Sequence, residues 1–164
     1  MNIIKIETDN FVNGPGIRTV VWVAGCRHKC KGCHNPETWN FNYGEKYSEK
    51  HLEQILSYLE KDHISGLTVS GGDPLDYMNI TEVRQICKAV KERFPNKSVW
   101  IYTGHVYEDY KTDSIMDYID VLIDGEFVEE LKNKPKAKWR GSSNQRLIDV
   151  RKSQETCTIQ QLDS

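Results

Sequence analysis

Ile17-Arg18-Thr19-Val20-Val21-Trp22-Val23-Ala24-Gly25-Cys26-Arg27-His28-Lys29-Cys30-Lys31-Gly32-Cys33-His34-Asn35 is the stretch on which the fold turns. Residues 17–24 are largely apolar and rich in β-branched side chains. A run so short and so apolar fits a strand covered on both faces, as in a parallel sheet. The run stops at Gly25, directly before the first cysteine. The cysteine loop therefore hangs from the C-terminal end of a strand, the edge on which parallel α/β architectures build their sites. Cys26, Cys30 and Cys33 follow the spacing C-x3-C-x2-C. Thiolates are soft ligands, so such a cluster suits zinc or iron–sulfur rather than magnesium or calcium.

The ligand count bears more weight than the spacing. A structural zinc site or an ordinary ferredoxin cluster takes four protein ligands. Three thiolates on a cubane cluster would leave one iron open to a small molecule. Arg27, Lys29 and Lys31 stand between the cysteines. Their positive charge is expected to lower the thiol pKa values and to help hold an anionic cluster. His28 or His34 as a fourth ligand would give a Cys3His zinc knuckle instead. The spacing alone leaves both readings open.

Working outward, residues 2–6 read as a short strand, and Asn13-Gly14-Pro15-Gly16 as a turn. Residues 48–62 read as an amphipathic helix with Ser48 as N-cap and His51 in place of the Glu of a full capping box. Its apolar face is Leu52, Ile55, Leu56 and Leu59. A strand over 66–70 runs into Gly71-Gly72-Asp73-Pro74, and a helix follows over about 79–94. Another strand, 98–102, ends at Thr103-Gly104. A helix around 107–118 precedes a strand over 119–123, which ends at Asp124-Gly125. Strand, glycine loop and helix recur, so right-handed βαβ crossovers are the natural outcome. Four or five such strands are too few for a closed eight-stranded barrel. The expected fold class is α/β, an open partial (β/α) barrel with a mostly parallel curved sheet. One domain is expected over 1–164, with a polar tail beyond about 151 that is poorly ordered.

In that sheet the cysteine loop, 71–74, Thr103 with Gly104, and Asp124 with Gly125 all fall on one edge. Glycine lets backbone approach a ligand closely. Gly71 and Gly72 can expose backbone carbonyls, and Asp73 adds negative charge, an arrangement suited to a bound ammonium group. The plain alternative is a tight turn from strand to helix.

Composition excludes other classes. Hydrophobic residues make up 38% and charged residues 28%, as in an ordinary globular chain. A net charge of −2 offers no electrostatic footprint for nucleic acid or an acidic membrane surface. No apolar run is long enough to span a bilayer, and the N-terminus lacks the pattern of a secretory signal. A cytoplasmic, reducing location is the resulting expectation. Five cysteines, three of them crowded, argue for metal chemistry and against a disulfide framework. Cys87 falls on a helix and reads as a small buried apolar residue.

Cys26-x3-Cys30-x2-Cys33 followed by Gly71-Gly72-Asp73-Pro74 resembles the radical S-adenosylmethionine superfamily. More closely, the chain is similar to the activating enzymes of the anaerobic (class III) ribonucleotide reductases. The matching stretches are residues 12–18, Cys33-His34-Asn35 with Thr38-Trp39, and 66–75. Residues 100–104, 120–125 and Trp139-Arg140-Gly141-Ser142-Ser143-Asn144-Gln145-Arg146 complete them. The resemblance implies a 4Fe–4S cluster on Cys26, Cys30 and Cys33, its fourth iron chelated by S-adenosylmethionine. It also implies cofactor contacts at Gly32, Cys33, His34, Gly71 and Gly72, with Asp73 beside them. His34 stands where many members carry an aromatic residue, often Tyr. The implied activity is that of an oxidoreductase that activates a glycyl-radical enzyme. Reductive cleavage of S-adenosylmethionine would give a 5′-deoxyadenosyl radical that takes a hydrogen from a glycine. The implied partners are the large subunit of the anaerobic reductase and an electron donor such as flavodoxin, with no nucleic acid and no membrane. A pyruvate formate-lyase type activase and a Cys3His zinc-bound interaction module are the competing readings. Trp139 and Arg140 could contact partner or cofactor, or belong to a structural closing strand.

Overall fold

The computed structural model describes residues 1–132 and 138–162. Among the described residues seven strands form one open sheet: β1 (Asn2–Asn10), β2 (Ile17–Val23), β3 (Glu45–Lys46), β4 (Ile64–Gly71), β5 (Ser98–Tyr102), β6 (Val121–Asp124) and β7 (Arg146–Asp149). Their spatial order is β3-β1-β2-β4-β5-β6-β7. The central four, β2, β4, β5 and β6, run parallel. Antiparallel strands close the two edges, with β1 on β2, β3 on β1, and β7 on β6. The expected parallel centre and open sheet are both present. The antiparallel edges were not foreseen. No described helix is long and apolar enough to cross a membrane.

Strand alternation sorts the side chains onto two unlike faces. Val21, Val23, Leu67, Val69, Val99, Ile101 and Leu122 belong to the larger core. Against them pack Ile55 and Leu59 of α1 (Glu49–Leu59), and Val83, Ile86, Cys87 and Val90 of α2 (Ile80–Arg93). Each fully buried aliphatic side chain stabilises the fold by roughly 1.5–3 kcal/mol. His51 completes the start of α1 by accepting the Ser48 backbone N–H on Nδ1 at 3.0 Å, the task a Glu performs in a full capping box.

The opposite face is thinner. Trp100, Val121, Ile123 and Leu147 form a small cluster there. Arg18 lies beside it, fully buried, with Nε donating to Thr68 Oγ1 at 2.7 Å. Its Nη2 donates to the carbonyls of Leu67 and Ser98 at 2.7 and 3.0 Å. Burial pulls this guanidinium down to about 10. Toward the C-terminal strand ends the same face opens, so β2 is covered on both sides only along part of its length.

Two expected elements differ. The helix over 107–118 is a short α3 (Tyr107–Tyr110) followed by a 3-10 turn, Ser114–Tyr118. Asp113 breaks it by accepting the Ile115 N–H on Oδ1 at 2.8 Å. The tail beyond 151, expected to be poorly ordered, forms α4 (Val150–Thr156) instead. Asp149 caps it by accepting from the Lys152 N–H at 2.9 Å. Val150 is buried, and Leu162 N donates to Leu147 O at 2.8 Å, so the tail is tied back onto β7.

Candidate metal centre and its cavity

β2 delivers the chain to Gly25, where φ is 100° and the Phe41 ring fills the space of a Cβ. The loop is then stitched to the 3-10 turn Pro36–Trp39, with Gly25 N donating to Thr38 O at 2.7 Å and Cys26 N to Trp39 O at 3.2 Å. Cys26, Cys30 and Cys33 are free thiols, each half-buried, and all three line one cavity of about 400 Å³. Gly71 and Gly72 at the end of β4, Thr103 and Gly104 after β5, and Gly125 after β6 line it too. The four loops expected on one edge thus meet at one cavity.

Of the residues marked from the sequence, Cys26, Cys30, Cys33, His34, Gly71 and Gly72 face this cavity, whereas Gly32 and Asp73 are not among its lining residues. Gly32 is exposed with φ of 73°, and the Glu129 side chain occupies the place of its Cβ. Asp73 turns inward and is 1% exposed. Its Oδ1 accepts from Leu75 N at 2.9 Å and Thr103 Oγ1 at 2.8 Å. Its Oδ2 accepts from Gly104 N at 3.1 Å and lies 2.7 Å from His28 Nε2. Read from the sequence as a charge for an ammonium ligand, this carboxylate is saturated by the protein itself.

The glycines have a second use. A Cβ on Gly72 would lie 2.4 Å from Gly25 O, and one on Gly71 would lie 2.4 Å from Val23 O. The close approach they permit is of this loop to the base of the cysteine loop. Gly72 N donates to Val23 O and Asp73 N to Gly25 O, both at 2.7 Å.

The electrostatics also differ from expectation. Arg27 pairs with Asp76 and lies over the rings of Phe41 and Tyr77. Lys31 is largely exposed, 3.7 Å from Glu129 and 3.8 Å from Glu130. With these cations paired elsewhere, burial dominates and pushes the Cys26 thiol up to about 11, with the Asp73 charge adding to the rise. Burial raises the Cys30 thiol as well. Among the described residues the donor set at this cavity is three thiols and no fourth. Cys87 is buried in the larger core, and Cys157 is exposed at the end of α4. His28 is engaged by Asp73 at Nε2 and by Glu126 at Nδ1, the latter at 2.9 Å. These contacts push its pKa up to about 9. His34 packs against Phe127 with centroids 5.2 Å apart. Soft donors around a cavity, one short of a closed site, fit an iron–sulfur cluster that leaves a metal position open.

Tyr102 and Gln145 are wall residues to which the sequence reading gave no role of their own. Tyr102 lines the cavity and donates to Trp139 O at 2.6 Å. Alternation along β5 puts it on the Trp100 side, which is the signal that could have found it. Gln145 accepts from Gly141 N at 2.8 Å and donates to Gly125 O at 2.8 Å, holding residues 139–145 against the loop after β6. Trp139, Arg140, Gly141 and Gln145 all line the cavity, while Arg146 begins β7. The block is therefore both a wall and the entry to a closing strand.

Residues 12–148 match the family model described as a 4Fe-4S single cluster domain. The chain is 45% identical over 147 residues to an anaerobic ribonucleoside-triphosphate reductase-activating protein of Enterobacteria phage T4, covering 90% of this chain and 93% of the relative. It belongs to that family of activating proteins. A Vibrio cholerae member of the same name is 39% identical, covering 88% of this chain and 96% of its own. The Escherichia coli K12 member is 37% identical, covering 92% and 100%. The family match begins ahead of β2 and ends within β7, so it includes every residue that lines the cavity.

Proposed function

We propose that this protein activates an anaerobic ribonucleotide reductase by generating its glycyl radical. In this reading Cys26, Cys30 and Cys33 hold a 4Fe–4S cluster, and S-adenosylmethionine occupies the adjoining cavity. The observation that carries it is the meeting of three thiols, with no fourth, and the backbone of Gly71 and Gly72 at one cavity. Membership of the activating-protein family supports it. When bound, these groups would supply one-electron reductive cleavage of S-adenosylmethionine, yielding methionine and a carbon radical able to take a hydrogen from a glycine of the reductase.

The chain's own residues bind, orient and exclude water. Gly71 and Gly72 present backbone where an amino group would sit, and Cys33 and His34 border the same space. The rings of His34 and Phe127, tilted by 50° to one another, offer aromatic surface against which an adenine can pack. Tyr102 and Trp139 keep the far side apolar, which protects a reactive carbon radical from water. No general base is assigned, since Asp73 and His28 are bonded to each other. Asp73 supports the binding loops from behind, through Leu75, Thr103, Gly104 and His28. The cavity has no lid of its own among the described residues, which suits a substrate presented by a second protein. A one-electron protein donor of the flavodoxin kind and a reducing, cytoplasmic setting complete the reading.

The test is to mix the reduced, iron-loaded protein with S-adenosylmethionine and the reductase large subunit under argon. A glycyl-radical doublet on the reductase is the expected result. A doublet only on a pyruvate formate-lyase type partner, or none on either, would contradict the proposal.

A further inference from the structure

We infer that His28 is a positioning residue, a bolt that fixes the cysteine loop to the loops after β4, β5 and β6. It thereby sets where the three thiols stand relative to Gly71 and Gly72. The inference rests on the proposed reading that the thiols hold a cluster.

His28 stands midway between Cys26 and Cys30. Its neighbours Arg27 and Lys29 are exposed, yet its own side chain is only 13% exposed. The ring reaches three separate loops. Nε2 meets Asp73 Oδ2 at 2.7 Å, after β4. Nδ1 meets Glu126 Oε1 at 2.9 Å, after β6. Its flat edge lies against Gly104, after β5, where an added Cβ would come within 2.5 Å of Cδ2. The ring of His105 meets it edge-on at 4.6 Å.

The anchor at the other end is itself fixed. Asp73 is held by Leu75 N, Thr103 Oγ1 and Gly104 N. Asn79 Nδ2 donates to Asp73 O at 2.9 Å and to Ala24 O at 3.0 Å, joining the same two loops from beneath. A side chain whose two polar atoms and one face are all committed to protein is poorly placed to be a ligand. It is well placed to hold ligands still. Residues that orient ligands from behind commonly change affinity by about 10–100-fold when removed.

The experiment uses reconstituted, iron-loaded protein and three variants. His28→Ala removes the bolt. His28→Gln keeps an amide N–H that can donate to Asp73. Gly104→Ala retains the imidazole but pushes it off its seat. Binding of S-adenosylmethionine is measured by calorimetry and the cluster's midpoint potential by redox titration. Circular dichroism checks the fold. The expected result is binding weakened about tenfold or more and a shifted potential in His28→Ala and Gly104→Ala, with recovery to within about threefold in His28→Gln. Wild-type affinity and potential in both His28→Ala and Gly104→Ala would overturn the inference. So would a divalent metal retained by the wild type and lost in His105→Ala, since His28, Asp73 and His105 have potential ligand atoms within 4.8 Å of one another. If His28→Ala does not fold, Gly104→Ala and Glu126→Ala, which trims an exposed side chain, still decide the matter. Wild-type protein that takes up no iron would bring down the proposed function as well, an outcome distinct from a defect confined to the variants.

Discussion

At the scale of single residues, the meeting of the three cysteines with the glycine loops at one cavity was the most legible feature of the chain. Metal affinity depends on residue type and spacing, and both are written in the sequence. Replacing Cys26, Cys30 or Cys33 with Ala should each abolish iron retention after reconstitution, measured as iron per chain. Cys87→Ala should leave iron unchanged, because Cys87 sits in the larger core on the buried face of α2, and should lower stability by about 1 kcal/mol. Asp73 shows where reading by residue type stopped. A carboxylate after a double glycine reads equally as a ligand contact or a structural acceptor. Only the arrival of Leu75, Thr103, Gly104 and His28 around it decides for the second. Arg27 and Lys31 mislead in the same way, since their partners Asp76, Glu129 and Glu130 lie far from them in sequence.

At the scale of elements, the central strands and two long helices were readable from apolar periodicity alone. Short elements were not. β7 has four residues and α4 seven, each with only two buried, so neither stands out from the polar sequence around it. What fixes β7 is Arg146. Its Nε donates to Asp124 Oδ1 at 2.9 Å and its Nη2 to Asp124 Oδ2 at 2.5 Å, where Asp124 is fully buried. It also reaches Glu108 of α3 at 2.8 Å. Arg146→Ala strands a buried carboxylate and should lower stability by about 3 kcal/mol in urea unfolding. The Arg146 hydrogen bond holds the Glu108 carboxyl below its usual value of 4.5. A depressed carboxyl contributes stability above its unfolded value and loses it as pH falls through the folded one. The melting temperature of the wild type should therefore fall toward that of Glu108→Gln as pH drops below about 4.5. A gap that stays constant with pH would contradict the pairing.

At the scale of the molecule, one sheet does two jobs on its two faces. The face under α1 and α2 holds the larger core and none of the three clustered cysteines. The other face opens into the cavity where those thiols lie. Stability and site are thus separated. Removing iron with a chelator should leave the far-ultraviolet circular dichroism of the chain essentially unchanged, unlike a small domain whose fold depends on its metal. This division was only half visible beforehand. The parallel centre follows from strand, loop and helix in series. The open face does not, because β2 reads as buried on both sides until Trp22 and Ser70 are seen at the cavity wall.

The most direct test of the account is an electron paramagnetic resonance spectrum of the iron-loaded, dithionite-reduced protein, recorded with and without S-adenosylmethionine under argon. The account predicts a reduced 4Fe–4S signal that changes on adding S-adenosylmethionine, because three thiols leave one iron for it to bind. A protein that holds zinc and gives no iron signal, or an iron signal that S-adenosylmethionine leaves untouched, would contradict it.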